Sequence, residues 1–393
     1  MERVKIAVIG AGLRGTQHLE TLVRLTDAFE IVGIAEQDPQ RAERARQTYG
    51  APVFKRPDEM LDEVQPAVLD VIVPPDGHLP MTALAADRGV HVLVETPIAP
   101  TLAQTDAMIE VCEQKGVALQ LAENVWRFPN ERLKKKAIDA GLLGDVINVQ
   151  LFYRSGSYHG MNAIHTHIGC GPSRVIGHAR SLKRRVDFEP AEDIRPVSPS
   201  YAWEIGVFDF PNGATAVYQF PSRTERGNYW EIIGTAGSFV DTEAVFYGDS
   251  APAPVSIEAE MDGETIVAIW LPVDPEVRWE NPFAKYGVQG PDGVAIADLY
   301  MTMHSAATEG RSPDYGGAGG RLDQEMLIGV RESAFSGGKP VEFPLTETTA
   351  YERRLLEEYE RKYGSDALDT SPRGLANRLS AAVAEGHVRR VAG

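Results

Sequence analysis

Apolar and polar positions change rhythm along this chain. Up to residue 122, short β-branched runs recur: "VKIAVIG" (4–10), "FEIVGIAE" (29–36), "AVLDVIVP" (67–74), "VHVLVE" (90–95) and "VALQLAE" (117–123). Segments with helical spacing separate them. Continuous apolar runs describe strands buried on both faces, and their alternation with helices predicts a doubly wound parallel sheet. After "ENVWRFP" the texture shifts. A helix with a basic stripe, "NERLKKKAIDAG" (130–141), leads into long strand patterns, "GDVINVQLFYRSG" and "IGVFDFPNGATAVYQFPS", the latter turning at "PNG" as a hairpin. The expected architecture is α/β: a parallel-sheet domain over 1–123, an α/β domain with a large open, mainly antiparallel sheet over 124–345, and a helical tail over 346–393. Two mixed-charge helices, in "TTAYERRLLEEYERKYG" and "SPRGLANRLSAAVAEGHVRR", make up the tail.

Composition narrows the partners. The 393 residues carry 39 Lys plus Arg against 56 Asp plus Glu, a net charge of −17, so nucleic acid and anionic membrane surfaces meet a repelling field. Cys112 and Cys170 are the two cysteines, far apart and outside any CxxC, which fits a reducing compartment. The chain opens "MERVKIAVIG", already a strand, and no apolar run approaches the roughly 20 residues needed to span a bilayer. The expectation is a cytoplasmic protein with a small-molecule substrate and no membrane partner.

The first motif with chemistry is "VIGAGLRG". Gly10, Gly12 and Gly15 follow the first strand and open the first helix, where glycines allow a tight turn, close approach of a pyrophosphate and close helix packing. This is the Rossmann arrangement. Glu36 ends the second strand 21 residues after Gly15, placed to accept ribose hydroxyls and to repel a 2′-phosphate, which favours NAD over NADP. Arg14, Arg41 and Arg44 lie near enough in sequence to weaken that preference.

With "VIGAGLRG", "IVGIAEQDPQRA", "DVIVPPDGHLPMTALAADRGVHVLVETPIA" and the hairpin "FPNGATAVYQF" followed by "EIIGTAGSF", the chain resembles the superfamily of glucose-fructose oxidoreductase and inositol dehydrogenase over residues 3 to about 345. The resemblance implies a Rossmann domain joined to a domain whose open sheet floors a sugar site and often a subunit interface, hence a homodimer or homotetramer. It also implies cofactor contacts from Leu13, Arg14, Pro74, His78, Glu95, Thr96, Pro97 and Asn124, beside the three glycines and Glu36.

One departure stands out. Dehydrogenases of this superfamily carry Glu-Lys-Pro after the fifth strand, the lysine touching the hydroxyl that loses its hydride; here the tripeptide is Glu95-Thr96-Pro97. Threonine holds no cation near neutral pH. A branch without that lysine, the NAD-dependent glycoside hydrolases related to α-N-acetylgalactosaminidase, is similar in three places. They are "LAENVWRF", Tyr153 lying 30 residues after Glu123, and "IHTHIGCGP" (164–172), which sits where that branch has a Tyr-Pro-Thr-His-Gly-Leu-Gly-Pro segment.

The branch's chemistry oxidises a sugar hydroxyl at C3 transiently, removes the C2 proton, expels the aglycone from C1, adds water and returns the hydride. By that resemblance Tyr153 and Glu123 handle the C2 and C3 protons, and His167 or His165 serves the hydroxyl or the leaving group. Other readings stay open at these residues. Glu123 can cap the next helix, Tyr153 can be core, and His165, His167 and Cys170 can ligate zinc, although no fourth ligand or supporting carboxylate lies close in sequence. The loops "PSRTERGNYWEI" and "SPDYGGAGGR" bring Arg223, Arg226, Tyr229 and Tyr315, with Arg154, as candidate substrate contacts, and the arginines suit an anionic sugar such as a sulfoquinovoside. The alternatives to a glycosidase are an NAD-dependent sugar or polyol dehydrogenase and a non-catalytic NAD-binding sensor.

Overall fold

Six short apolar runs pair side by side as a parallel sheet: β1 (Val4–Ile9), β2 (Phe29–Ala35), β3 (Val53–Phe54), β4 (Val68–Val71), β5 (His91–Val94) and β6 (Leu119–Leu121), in the order β3-β2-β1-β4-β5-β6. The structure, a computed structural model, describes residues 2–153, 157–180, 203–220, 228–248 and 253–370. The five sequence-read strands are all present; the two-residue edge strand β3 is an addition too short to leave a pattern. Helices α1 (Leu13–Leu22), α2 (Pro39–Tyr49), α3 (Pro57–Val64), α4 (His78–Ala86) and α5 (Leu102–Lys115) fill the crossovers. Their ends follow local chemistry: Asp38 accepts from Gln40 and Arg41 amides to start α2, Thr101 does the same for α5, and Gly50 and Gly116 end them in the left-handed region.

The second layer begins with α6 (Pro129–Asp139), β7 (Val146–Phe152) and α7 (Ser157–Ile168). It continues through β8 (Arg174–Arg180), β9 (Trp203–Asp209), β10 (Thr215–Phe220), β11 (Tyr229–Gly234), β12 (Gly237–Val240), β13 (Glu243–Phe246) and β14 (Val255–Ser256). A small meander follows, β15 (Glu258–Asp262), β16 (Thr265–Leu271) and β17 (Val277–Glu280), then α8 (Gly290–Glu309), α9 (Gly317–Phe335), β18 (Val341–Glu342) and α10 (Ala350–Tyr363).

The large sheet has nine strands in the order β14-β13-β12-β11-β7-β10-β9-β8-β18. All its neighbours are antiparallel except β7 and β10. The central strands alternate: Val149, Leu151, Phe208, Ala216, Tyr218, Trp230 and Ile232 are buried on one face, while Ile147 and Val207 on the other stay 45% and 46% exposed. Helices α7 and α9 cover the buried face. The approach is close: a Cβ on Gly160 would lie 2.6 Å from the Tyr218 ring.

Helix α8, which the sequence reading grouped with the second domain, packs on the first. Its Val294, Ile296, Leu299, Tyr300 and Met303 share one core with Val4, Ile6, Val8 and Leu19, each side chain worth roughly 1.5–3 kcal/mol of burial. Helix α10, started by a Thr349–Glu352 capping box, docks back through Tyr363 and Lys362 onto Asp76. The second tail helix read from sequence lies outside the described residues. Among the described residues no helix is long and apolar enough to cross a membrane.

Candidate active site

The glycine loop joins β1 to α1. Gly10 takes φ +96°, and a Cβ there would sit 2.1 Å from the Ile72 carbonyl oxygen, so only glycine fits. Gly12, by contrast, opens onto free space, and α1 starts at it with no side-chain cap. Its first amides are therefore left for an anion. Glu36, 7% exposed, straps the loop: Oε2 accepts the Ala11 amide at 2.9 Å and Oε1 accepts the Asp38 amide at 2.8 Å. Arg41 is spent on the same carboxylate, which removes it as a partner for a 2′-phosphate. Asn124 donates Nδ2 to Asp292 at 2.6 Å while its buried Oδ1 has no partner, an acceptor free for a carboxamide. The free amides, the open cradle and the orphaned acceptor fit a nicotinamide dinucleotide.

Behind the loop runs a buried chain of charge. Arg14 Nε donates to Glu95 at 2.6 Å and its Nη1 to Asp292 at 2.5 Å; His18 places Nε2 3.1 Å from Glu95 and Nδ1 2.9 Å from Asp70, which also accepts from Tyr300. Burial alone would lower the His18 imidazole, but Asp70 and Glu95 outweigh it and raise it to about 9. Burial likewise opposes ionisation of Glu95, yet Arg14 and His18 hold it well below the usual carboxylate range. Two cations from α1 thus neutralise the carboxylate that precedes Thr96. Thr96 turns both its amide and its hydroxyl onto Glu95, at 2.7 and 3.1 Å, and the Thr96–Pro97 peptide is cis.

His78 is fully buried, its ring nitrogens within 2.8–3.1 Å of the Val73, Pro97 and Ile98 carbonyls. It braces the Thr96–Pro97 turn from behind. Pro74 starts the 3-10 turn Pro75–Gly77 at the same edge, and Leu13, 65% exposed, flanks the cradle.

Past β6, Glu123 is wholly buried. Its Oε1 accepts the Val125 amide at 2.9 Å, the capping role open from sequence, and both carboxylate oxygens lie 2.9 Å from His159 Nδ1. The His159 ring stands 6.2 Å from that of Tyr153. Burial and the negative field of Glu123 push the Tyr153 hydroxyl far above its ordinary value, so it remains a proton donor at neutral pH. His159, missed from sequence, links the two residues read as partners, bonded to Glu123 and facing the Tyr153 ring. Its signal lies in the spacing of His159 and His167, eight residues apart and so on one helical face, which becomes visible only once Ser157–Ile168 is known to be a helix.

That helix separates the two histidines of "IHTHIGCGP". Residues two apart on a helix point about 200° apart. His165 turns to α9, with Nε2 2.8 Å from Asp323 and 3.2 Å from the Tyr315 hydroxyl. His167 turns to α6 and the sheet, with Nε2 3.1 Å from Glu131, which also accepts from Lys134 at 3.0 Å, and its ring edge-on to Trp230 at 5.3 Å. The two cannot serve one substrate hydroxyl, nor join Cys170 at one metal. Among the described residues no group of three or more His, Cys, Asp or Glu is arranged to hold a metal ion.

The candidate substrate contacts divide. Tyr315 is occupied: its hydroxyl donates to Asp323 and accepts from Asn162, while its carbonyl pairs with the Leu121 amide and brings the "SPDYGG" segment beside β6. Tyr229 is the first residue of β11, stacked on Phe152 at 5.5 Å on the face opposite Trp230, with its hydroxyl on Glu231. It therefore opens a strand, where the sequence reading has a loop over 221–232. Arg154, Arg223 and Arg226 lie outside the described residues.

A family model described as an oxidoreductase family with an NAD-binding Rossmann fold matches residues 4–123. The chain is 31% identical over 156 residues to a D-apiose dehydrogenase of Paraburkholderia graminis, covering 39% of this chain and 41% of that one. It is 24% identical over 315 residues to a glycosyl hydrolase family 109 protein of Shewanella pealeana, covering 75% of this chain and 63% of that one. Neither match reaches two thirds of the relative's length. A levoglucosan dehydrogenase solved with NADH and levoglucosan superposes with a TM-score of 0.69 at 20% identity, covering 88% of this chain and 100% of that one, a likeness of fold.

Proposed function

This chain belongs, through residues 4–123, to the Gfo/Idh/MocA oxidoreductase family with its NAD-binding Rossmann fold, and from that premise we propose an NAD-dependent glycoside hydrolase. The observation that carries the reading is Thr96. The residue after Glu95 brings no cation, its hydroxyl is turned onto Glu95, and the positive charge that Glu95 needs comes from Arg14 and His18 instead. Nothing at that position handles the proton of an ordinary alcohol oxidation, whereas a buried carboxylate, Glu123, acts by its charge on Tyr153, whose hydroxyl makes no hydrogen bond among the described residues.

Bound NAD would accept a hydride from the ring carbon that bears a hydroxyl and give the same hydride back, leaving the cycle redox-neutral. The chain's own groups do the rest. Once a ring carbon is a ketone, its neighbour's proton is acidic enough for a positioned base, worth about 10²- to 10⁴-fold. Tyr153, kept protonated, donates to an oxygen that gains charge, and the burial of Glu123 and Tyr153 keeps water from the reacting carbon. The likeness to a glycosyl hydrolase over 75% of the chain supports this reading.

A sugar dehydrogenase is the second reading, favoured by the likeness to D-apiose dehydrogenase. The test uses purified protein with NAD and a panel of nitrophenyl glycosides that includes N-acetylated and anionic sugars, following phenol and NADH together. Phenol release that requires NAD without NADH build-up supports the hydrolase; stoichiometric NADH without phenol overturns it for the dehydrogenase. NAD binding with no turnover on glycosides or free sugars overturns both.

A further inference from the structure

Resting on the NAD-dependent reading, the geometry points to His159 Nε2 as the group that exchanges a proton with the substrate, in the place of the lysine this chain lacks. Three observations carry it. First, both oxygens of Glu123 lie 2.9 Å from Nδ1, so the Nδ1 hydrogen is donated to the carboxylate and the lone pair of the neutral ring sits on Nε2. Second, the carboxylate is itself fixed, by the Val125 amide and complete burial, so the ring is aimed from a rigid base. Third, Nε2 makes no hydrogen bond among the described residues and the side chain is 20% exposed, open to a ligand.

The neighbouring histidines are otherwise engaged. Both ring nitrogens of His18 and of His78 are bonded, and His165 gives Nε2 to Asp323. His167 gives Nε2 to Glu131, and its Nδ1 is sealed from solvent.

The step balances. Oxidising a secondary alcohol to a ketone sends a hydride from carbon to the nicotinamide and a proton from oxygen to Nε2; the reverse transfer returns both. The groups that face His159 are Glu123, Tyr153 and Tyr158, with Glu95 and Arg14 acting through space. Burial lowers the imidazole, but Glu123 by charge and hydrogen bond outweighs it, so it stands above its ordinary value.

The test compares wild type, His159→Gln and Glu123→Gln in NAD binding, pH-rate profiles on glycosides and on free sugars, and the titration of the His159 ring by NMR. Expected are unchanged NAD affinity in His159→Gln, a 10²- to 10⁴-fold fall in kcat with loss of the acidic limb, and a His159 titration that moves to lower pH in Glu123→Gln. If wild type forms NADH and no phenol, the glycosidase reading falls while His159 is judged by the same variants on NADH formation. Turnover and acidic limb retained in His159→Gln, or a ring that titrates as free imidazole and ignores Glu123→Gln, overturns the proposal.

Discussion

Arg14, inside the glycine loop, donates to Glu95 at the end of β5 across 2.6 Å, and so ties the cofactor cradle to the strand end that precedes Thr96. Removing the guanidinium leaves the buried Glu95 carboxylate without its main counter-charge. Arg14→Ala is expected to lower stability by about 1–3 kcal/mol, read by urea denaturation, because Glu95 then keeps His18 alone as counter-charge. A variant as stable as wild type would mean that Glu95 takes up a proton with little penalty.

The same chain of charge sets a pH window. The folded His18 imidazole, at about 9, lies above its ordinary 6.5, so the folded state holds a proton that the unfolded state has lost between those values. The stabilisation is fully present below pH 6.5 and disappears as pH rises through 9, on the order of 3 kcal/mol. Denaturation midpoints at pH 6, 7.5 and 9 should therefore fall in wild type and stay flatter in His18→Gln. A flat wild-type profile would show that Asp70 and Glu95 do not hold the charged ring.

His165 and Tyr153 should separate stability from turnover. His165→Ala strips a partner from Asp323, whose carboxyl burial already pushes to about 6, and should cost about 1–3 kcal/mol with kcat changed less than about 3-fold. Tyr153→Phe removes one hydroxyl without a cavity and should lower kcat by about 10²-fold with stability within about 1 kcal/mol. Equal behaviour of the two variants would undo the placement of His165 outside the site.

How much of this was written in the sequence varies by element. The Rossmann half was legible because strand runs, the "GAGLRG" turn and Glu36 are local signals, each reporting its own structure. The α8 return was not, since Val294 and Tyr300 meet Val4 and Leu19 only after a non-local fold. His159 escaped for a different reason. The segment 157–168 carries a glycine inside the helix, and its helical phase decides which histidine faces Glu123. Tyr229 reads as loop because "GNYWEI" follows a polar, turn-rich stretch, and the strand it opens is fixed by pairing with β7 and β12.

The cradle itself is tested by two neighbouring glycines that differ in what surrounds them. Gly10→Ala puts a Cβ 2.1 Å from the Ile72 oxygen at φ +96°, and so should damage the fold and NAD binding together, by more than about 2 kcal/mol of stability. Gly12→Ala meets no atom within 4 Å, and φ of −72° is open to alanine, so the chain should fold as wild type does. Its one predicted defect is a loss of NAD affinity, because the added methyl occupies the space through which a pyrophosphate approaches the α1 amides. Titration of both variants with NAD, beside their unfolding curves, distinguishes a ligand cradle from a structural turn. Wild-type affinity in a well-folded Gly12→Ala would place the dinucleotide somewhere other than over this loop.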